Sequence, residues 1–246
     1  MSKNKIIDIA LIALVFLFCV AFPIDLFTKN MYVIRNVQIG LRIASIIFTI
    51  VFAIKSKNLE LKKEGFRLIP LLLLIPTLLA CINNLIYVWY EKYPFKVHFD
   101  NLVLLEIVLT IFVAISEELI FRKVIFDNLE MKNNLLKIII AAGIFGLFHI
   151  VAFFSTFNPI DLLQVVYCFG LGIVLGFIYS YGKSIVFAII FHFLFNLINT
   201  NIFQNIEGID IKISFYIISI IVSAIVGLIL LIEYLLYFKK DTESNV

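Results

Sequence analysis

Long apolar runs dominate this chain and decide its solvent. They fall near residues 6–22, 38–54, 67–90, 99–122, 136–157, 160–180, 184–203 and 213–238, each close to the ~20 residues a helix needs to cross the hydrocarbon core. Strands of a membrane barrel are about half that length and alternate in polarity. These runs are apolar on all sides, which predicts helices. Only 15% of the 246 residues are charged and 63% are hydrophobic, whereas a soluble domain carries about a quarter charged residues. There is too little polar surface to coat a soluble globule. The sequence therefore reads as an all-α, polytopic integral membrane protein with about eight transmembrane helices, forming a single membrane domain over 1–246.

Charge placement predicts orientation. With the N-terminus inside, fourteen of the twenty Lys and Arg residues fall in the inner connections, among them Lys3, Lys55, Lys57, Lys62, Lys123 and Lys183. Lys29, Arg35, Lys92, Lys96 and Lys212 fall outside, and Arg42 lies within a span. The positive-inside rule then places both termini in the cytoplasm. The first run has no small-x-small cleavage site and further spans follow it at once, so it is expected to stay as a helix. Cys19, Cys81 and Cys168 sit in apolar runs without CxxC spacing and read as packing residues. No Gly-rich phosphate loop or basic stripe suggests nucleotide or nucleic acid as a partner. Pro70 and Pro76 should kink the third run, and the Gly172/Gly176 pair should bring two helices close together.

Ionisable groups inside lipid are costly and mark candidate functional positions. Three clusters stand out. Ser116-Glu117-Glu118-Leu119-Ile120-Phe121-Arg122 ends the fourth run; Glu118 and Arg122 are four apart and can pair on one helix face, leaving Glu117 free for general-base work. Phe145-Gly146-Leu147-Phe148-His149 lies in the fifth run, and His192-Phe193-Leu194-Phe195-Asn196 in the seventh. His192 and Asn196 share a helix face, where two donors could hold an oxyanion. Counted along their helices, the three clusters fall in one slab of membrane about 12–18 Å from the cytoplasmic end.

The pattern Glu-Glu-x-x-x-Arg, Phe-x-x-x-His and His-x-x-x-Asn, each on its own helix, resembles the motif set of the CAAX-protease and bacteriocin-processing (CPBP, or Abi) family of intramembrane proteases, whose best-known branch is the type-II CAAX prenyl endopeptidases. The resemblance covers roughly residues 100–200, as a catalytic core. It implies an eight-helix endopeptidase of a prokaryotic plasma membrane, acting on a membrane-associated or secreted peptide. The cavity should be open to the cytoplasmic side, with substrate reached from the membrane or from the cytoplasm. By the same resemblance Glu117 and His149 activate a water, His192 and Asn196 stabilise the oxyanion, and Glu118 and Arg122 orient and tune Glu117. The cofactor is either none or zinc; a zinc ion would take Glu117, His149 and His192. The lack of a His-Glu-x-x-His helix favours the metal-free route.

Other buried polar groups carry structural expectations. Glu106, eleven residues before Glu117, is expected to pair with Arg42. Asn83, Asn84 and Gln164 should bond between helices. Two further functions stay open on sequence alone. One is a non-catalytic immunity or regulatory protein bound to another membrane protein; the other is a proton-coupled transporter, which the lack of repeat halves disfavours.

Overall fold

The computed structural model describes residues 1–63, 65, 71–157, 162–203, 205–210 and 212–238; Arg67, Pro70, Lys239 and Lys240 lie outside the described residues. Among the described residues the fold is all-helical apart from one isolated bridge. The helices are α1 Lys3–Ala21, α2 Met31–Lys55, α3 Leu71–Cys81, α4 Asn83–Tyr90, α5 Asn101–Glu118, α6 Asn134–Phe148, α7 Ile150–Thr156, α8 Leu162–Gly182, α9 Ile185–Asn196 and α10 Ile213–Glu233. Four stretches are long and apolar enough to cross a membrane, namely Lys3–Leu26, Met31–Lys55, Leu162–Gly182 and Ile213–Leu236, and shorter apolar helices accompany them. Large apolar side chains such as Leu14, Phe18, Ile54, Leu78, Leu147 and Leu228 point outward. Such a surface suits lipid rather than water, and the protein is an integral membrane protein.

Polar residues start the helices where the sequence leaves the apolar runs. The side chains of Ser2, Asn30, Asp100, Asn133 and Ser184 each accept a hydrogen bond from a first-turn amide of α1, α2, α5, α6 and α9, satisfying donors with no partner inside the helix. The Asn30 cap starts α2 seven residues before the predicted position 38. Two rods are interrupted rather than continuous. The third run, which carries Pro76 inside α3, breaks at Ile82. The fifth breaks at His149, and π-helical turns continue α5 over Leu119–Phe126 and α9 over Leu197–Ile202.

The two ends of the bundle are tied differently. At one end Lys5 meets Glu130 at 2.9 Å, and Asn128 bonds both the amide and the carbonyl of Glu60. The Gly65 amide donates to the Lys183 carbonyl there. At the other end residues 96–98 pair with 205–207 around the Val97–Ile206 bridge. Lys212 donates to Glu91 at 2.6 Å, and that bond holds the Glu91 carboxyl below its ordinary range.

The tightest packing is between α6 and α8. A Cβ on Gly172 would stand 2.9 Å from the Ala142 Cα, and one on Gly176 2.9 Å from the Ile138 Cγ2. The small-residue pair therefore does what its spacing implies. Gly146 is tighter still, since its Cβ would lie 2.8 Å from the Val165 carbonyl oxygen, and backbone cannot swing aside. Gly172→Val should lower stability by about 1–3 kcal/mol through overpacking, read as thermal unfolding in detergent. Gly146→Ala should cost a comparable amount despite adding a single methyl; parental stability in both variants would refute close α6–α8 contact.

Candidate active site

The three sequence clusters converge. Glu118 and Arg122 are fully buried, and the Arg122 Nε donates to the Glu118 Oε2 at 2.8 Å. The other Glu118 oxygen lies 2.9 Å from the His192 Nδ1. A carboxylate only accepts, so His192 carries a proton on Nδ1, and in the neutral ring Nε2 is then the acceptor. That Nε2 stands 3.9 Å from the Glu117 Oε2. Glu118 thus orients His192; it was expected to serve Glu117.

His149 is fixed in the same way by different means. Its Nδ1 lies 2.9 Å from the Phe145 carbonyl oxygen, one turn back. The helix breaks at His149 and frees the ring to turn inward. A carbonyl also only accepts, so in the neutral ring the His149 Nε2 is again the acceptor. Phe145 packs against both imidazoles, with ring centroids 4.9 Å from His149 and 6.0 Å from His192. The Arg122 guanidinium sits over the Phe145 ring at 5.4 Å. Both of its terminal nitrogens lack a hydrogen-bond partner among the described residues, so the aromatic face is what they meet. The aromatic residue of the second motif is therefore a platform shared by both histidines and the buried arginine.

Glu117 has a partner that sequence reasoning misassigned. The Arg42 Nη1 donates to the Glu117 Oε1 at 3.2 Å and to the Ser116 Oγ at 3.1 Å. Glu106 instead pairs with Arg35 through Nε at 3.1 Å and Nη2 at 2.9 Å. The longer α2 explains the correction. Arg35 and Glu106 lie four and five residues into their helices and are level. Arg42 is two turns deeper and reaches Glu117. The Asn30 cap, followed by an uninterrupted helical stretch, was the signal that would have placed it.

Glu117, His149, His192 and Asn196 all line one cavity of about 910 Å³. Its floor is aromatic, made by Phe16, Phe121, Phe145 and Phe148, with Arg42 over Phe16 at 5.3 Å. From there it runs past Cys168, Tyr167 and Gln164 on α8, and past Asn199 and Asn201 beyond α9, to Pro23 and Asp25 after α1. Among the described residues, none in the connections at the N-terminal end lines it. The expected cytoplasmic opening and the expected cytoplasmic termini are therefore incompatible in this fold. Asn83 and Asn84 do bond between helices, to Ser219 and Asn199, as their type suggested; Gln164 lines the cavity.

Zinc requires three protein ligands around an open position. Among the described residues no three His, Cys, Asp or Glu side chains gather closely enough to hold a metal ion. One Glu117 oxygen already carries the Arg42 cation, whereas the histidines, each with Nδ1 bonded to an acceptor and Nε2 left over, are of the type that ligates metals. What stands against zinc here is the spacing of Glu117, His149 and His192 rather than their donor types.

Removing one partner of a fully buried ion pair leaves the other charge uncompensated. Arg122→Ala should therefore lose about 3–5 kcal/mol of stability. Arg35→Gln, at a partly exposed pair, should lose at most about 1 kcal/mol. Thermal unfolding in detergent reads both, and equal losses would show that burial does not set the difference.

Residues 99–198 match the family model described as type II CAAX prenyl endopeptidase Rce1-like. No curated protein and no solved structure matches the chain. The match spans α5 to the π turn after Asn196 and takes in all three motifs; Arg42 lies outside it.

Proposed function

We propose that this chain, which through residues 99–198 belongs to the CAAX-protease (CPBP) family, is an intramembrane endopeptidase whose eight passes cross a prokaryotic plasma membrane. One observation carries the mechanism. A carboxylate and an imidazole nitrogen, Glu117 Oε2 and His192 Nε2, face each other across 3.9 Å at the floor of the cavity. Each is held from behind, Glu117 by Arg42 and His192 by Glu118. A water held between two acceptors gives one hydrogen to each and turns a lone pair toward the substrate.

As the water oxygen bonds to the peptide carbonyl carbon, its proton passes to Glu117. The Asn196 carboxamide, one turn beyond His192 on the same face, donates to the oxygen that becomes negative. When the carbon–nitrogen bond breaks, the proton held by Glu117 passes to the leaving nitrogen. His149, whose Nε2 is an acceptor, receives the hydrogen bond of the scissile N–H. Glu118 holds the His192 tautomer and lies against any charge that develops on the ring, as a carboxylate behind a catalytic imidazole does. These assignments give His192 the water-activating role that family resemblance gives His149, leave the oxyanion to Asn196 and move His149 to the leaving-group side. The tautomers support this, because neither neutral ring can donate from Nε2 to an oxyanion. No step uses a metal.

The first test compares membrane and secreted peptides from cells carrying the parent or Glu117→Ala at matched abundance. A product present only with the parent identifies the substrate. With that substrate in detergent, Glu117→Ala and His192→Ala should each lower kcat/KM by about 10²–10⁴-fold. An intact biological effect in Glu117→Ala, with no peptide difference, would overturn proteolysis in favour of a non-catalytic partner.

Two further measurements test the details. A substrate with an ester in place of the scissile amide lacks the N–H that His149 receives. His149→Ala should be severely impaired on the amide and close to parental on the ester, whereas His192→Ala should be impaired on both. A tight chelator should leave kcat/KM unchanged; loss of activity restored by zinc would overturn the metal-free mechanism.

A further inference from the structure

The cavity occupies one half of the bundle, and the helix directions say which. From α1 it takes Phe16 through Asp25 but nothing nearer the N-terminus. From α8, running the opposite way, it takes Leu163 to Leu171, the half remote from Lys183. From α9 it takes His192 and residues beyond, and from α10 Phe215 to Ile220, the end nearest the Lys212–Glu91 bond. Toward the N-terminal end its lining goes no further than the aromatic residues Phe16, Phe121, Phe145 and Phe148. That end carries Lys3, Lys5, Lys55, Lys57, Lys62, Lys63, Lys123, Lys132 and Lys183, while the end the cavity reaches carries Lys29, Arg35, Lys92, Lys96 and Lys212. The basic end is the cytoplasmic one by the positive-inside rule.

We infer that the site opens to the extracytoplasmic face, and that its substrate is an extended peptide segment presented there, such as an exported peptide or the outer flank of a membrane anchor. The side of entry follows from sidedness alone; the substrate class rests on the endopeptidase reading. A lipidated C-terminus finished in the cytoplasm is on the wrong side of the floor. The walls suit a peptide. Asn84, Asn199 and Asn201 line the cavity beside apolar and aromatic side chains, and the Arg35–Glu106 pair and Asp25 also line it. A volume near the upper end of the ~300–1,000 Å³ typical of small-ligand sites leaves room for several residues in extended form.

Cysteine accessibility in intact cells tests the inference without requiring activity. Asp25→Cys and Gln164→Cys line the cavity, and Lys57→Cys lies on the basic end; all three positions are exposed. Each is treated with a membrane-impermeant maleimide, and labelling of the parent, through Cys19, Cys81 and Cys168, is subtracted. Asp25→Cys and Gln164→Cys should be labelled in intact cells, and Lys57→Cys only after permeabilisation. The reverse pattern would overturn an extracytoplasmic opening. The same labelling in the Glu117→Ala background separates sidedness from catalysis. An internally quenched peptide library, added to right-side-out and inside-out vesicles holding the parent, then reads the substrate class. Cleavage only in right-side-out vesicles is expected, and cleavage only in inside-out vesicles overturns the inference. Correct labelling with cleavage from neither side would leave the opening standing and overturn the peptide substrate.

Discussion

Glu118 has no exposed surface, and a carboxylate so placed is tolerable only because Arg122 and His192 both reach it. Taking charges out of water costs several kcal/mol per ion, and attraction repays this only when geometry and extra hydrogen bonds are good. Here one oxygen takes the guanidinium and the other the imidazole. The pairing fixes α9 against α5, sets the His192 tautomer and stands Arg122 over Phe145. Phe145 in turn supports His149. A single buried carboxylate thereby sets the positions of groups on three helices.

The interruptions in the helices serve the same end. A regular helix would carry His149 onward with the spiral of α6; the break there lets its Nδ1 turn back to the Phe145 carbonyl. π turns follow Glu118 and Asn196 directly, and such turns recur at functional sites because they shift side-chain direction by part of a turn. The backbone groups they free need partners inside lipid. Asn199 supplies some: its Oδ1 accepts from the Asn84 amide and its Nδ2 donates to the Ala80 carbonyl, on either side of the α3–α4 break. Two broken rods are thus joined through one carboxamide beside the cavity.

Much of this was legible from spacing. Four-residue intervals bring Glu118 to Arg122 and set His192 and Asn196 on one face, because a helix turns once in about 3.6 residues. Gly172 and Gly176 announced the α6–α8 contact. Pairings across helices were legible only as far as helix limits were. Placing the start of α2 at 38 assigned Arg42 to Glu106, whereas the Asn30 cap gives that partner to Arg35 and delivers Arg42 to Glu117. Glu118 was expected to serve its neighbour in sequence, but adjacent helical residues point about 100° apart and Glu118 faces α9.

By itself the sequence determined the solvent, the helical class and the polar residues that gather at the cavity, since each follows from composition or from intervals along one helix. Only the tertiary structure decided which carboxylate faces which histidine, where the Arg42 cation goes and which half of the bundle is hollow. Those depend on rotations and offsets between helices far apart in the chain. The physical reason is that a helix fixes its own side-chain directions through local hydrogen bonds, while its depth and rotation against a neighbour are set by close contacts such as Gly146 on Val165 and by buried ion pairs.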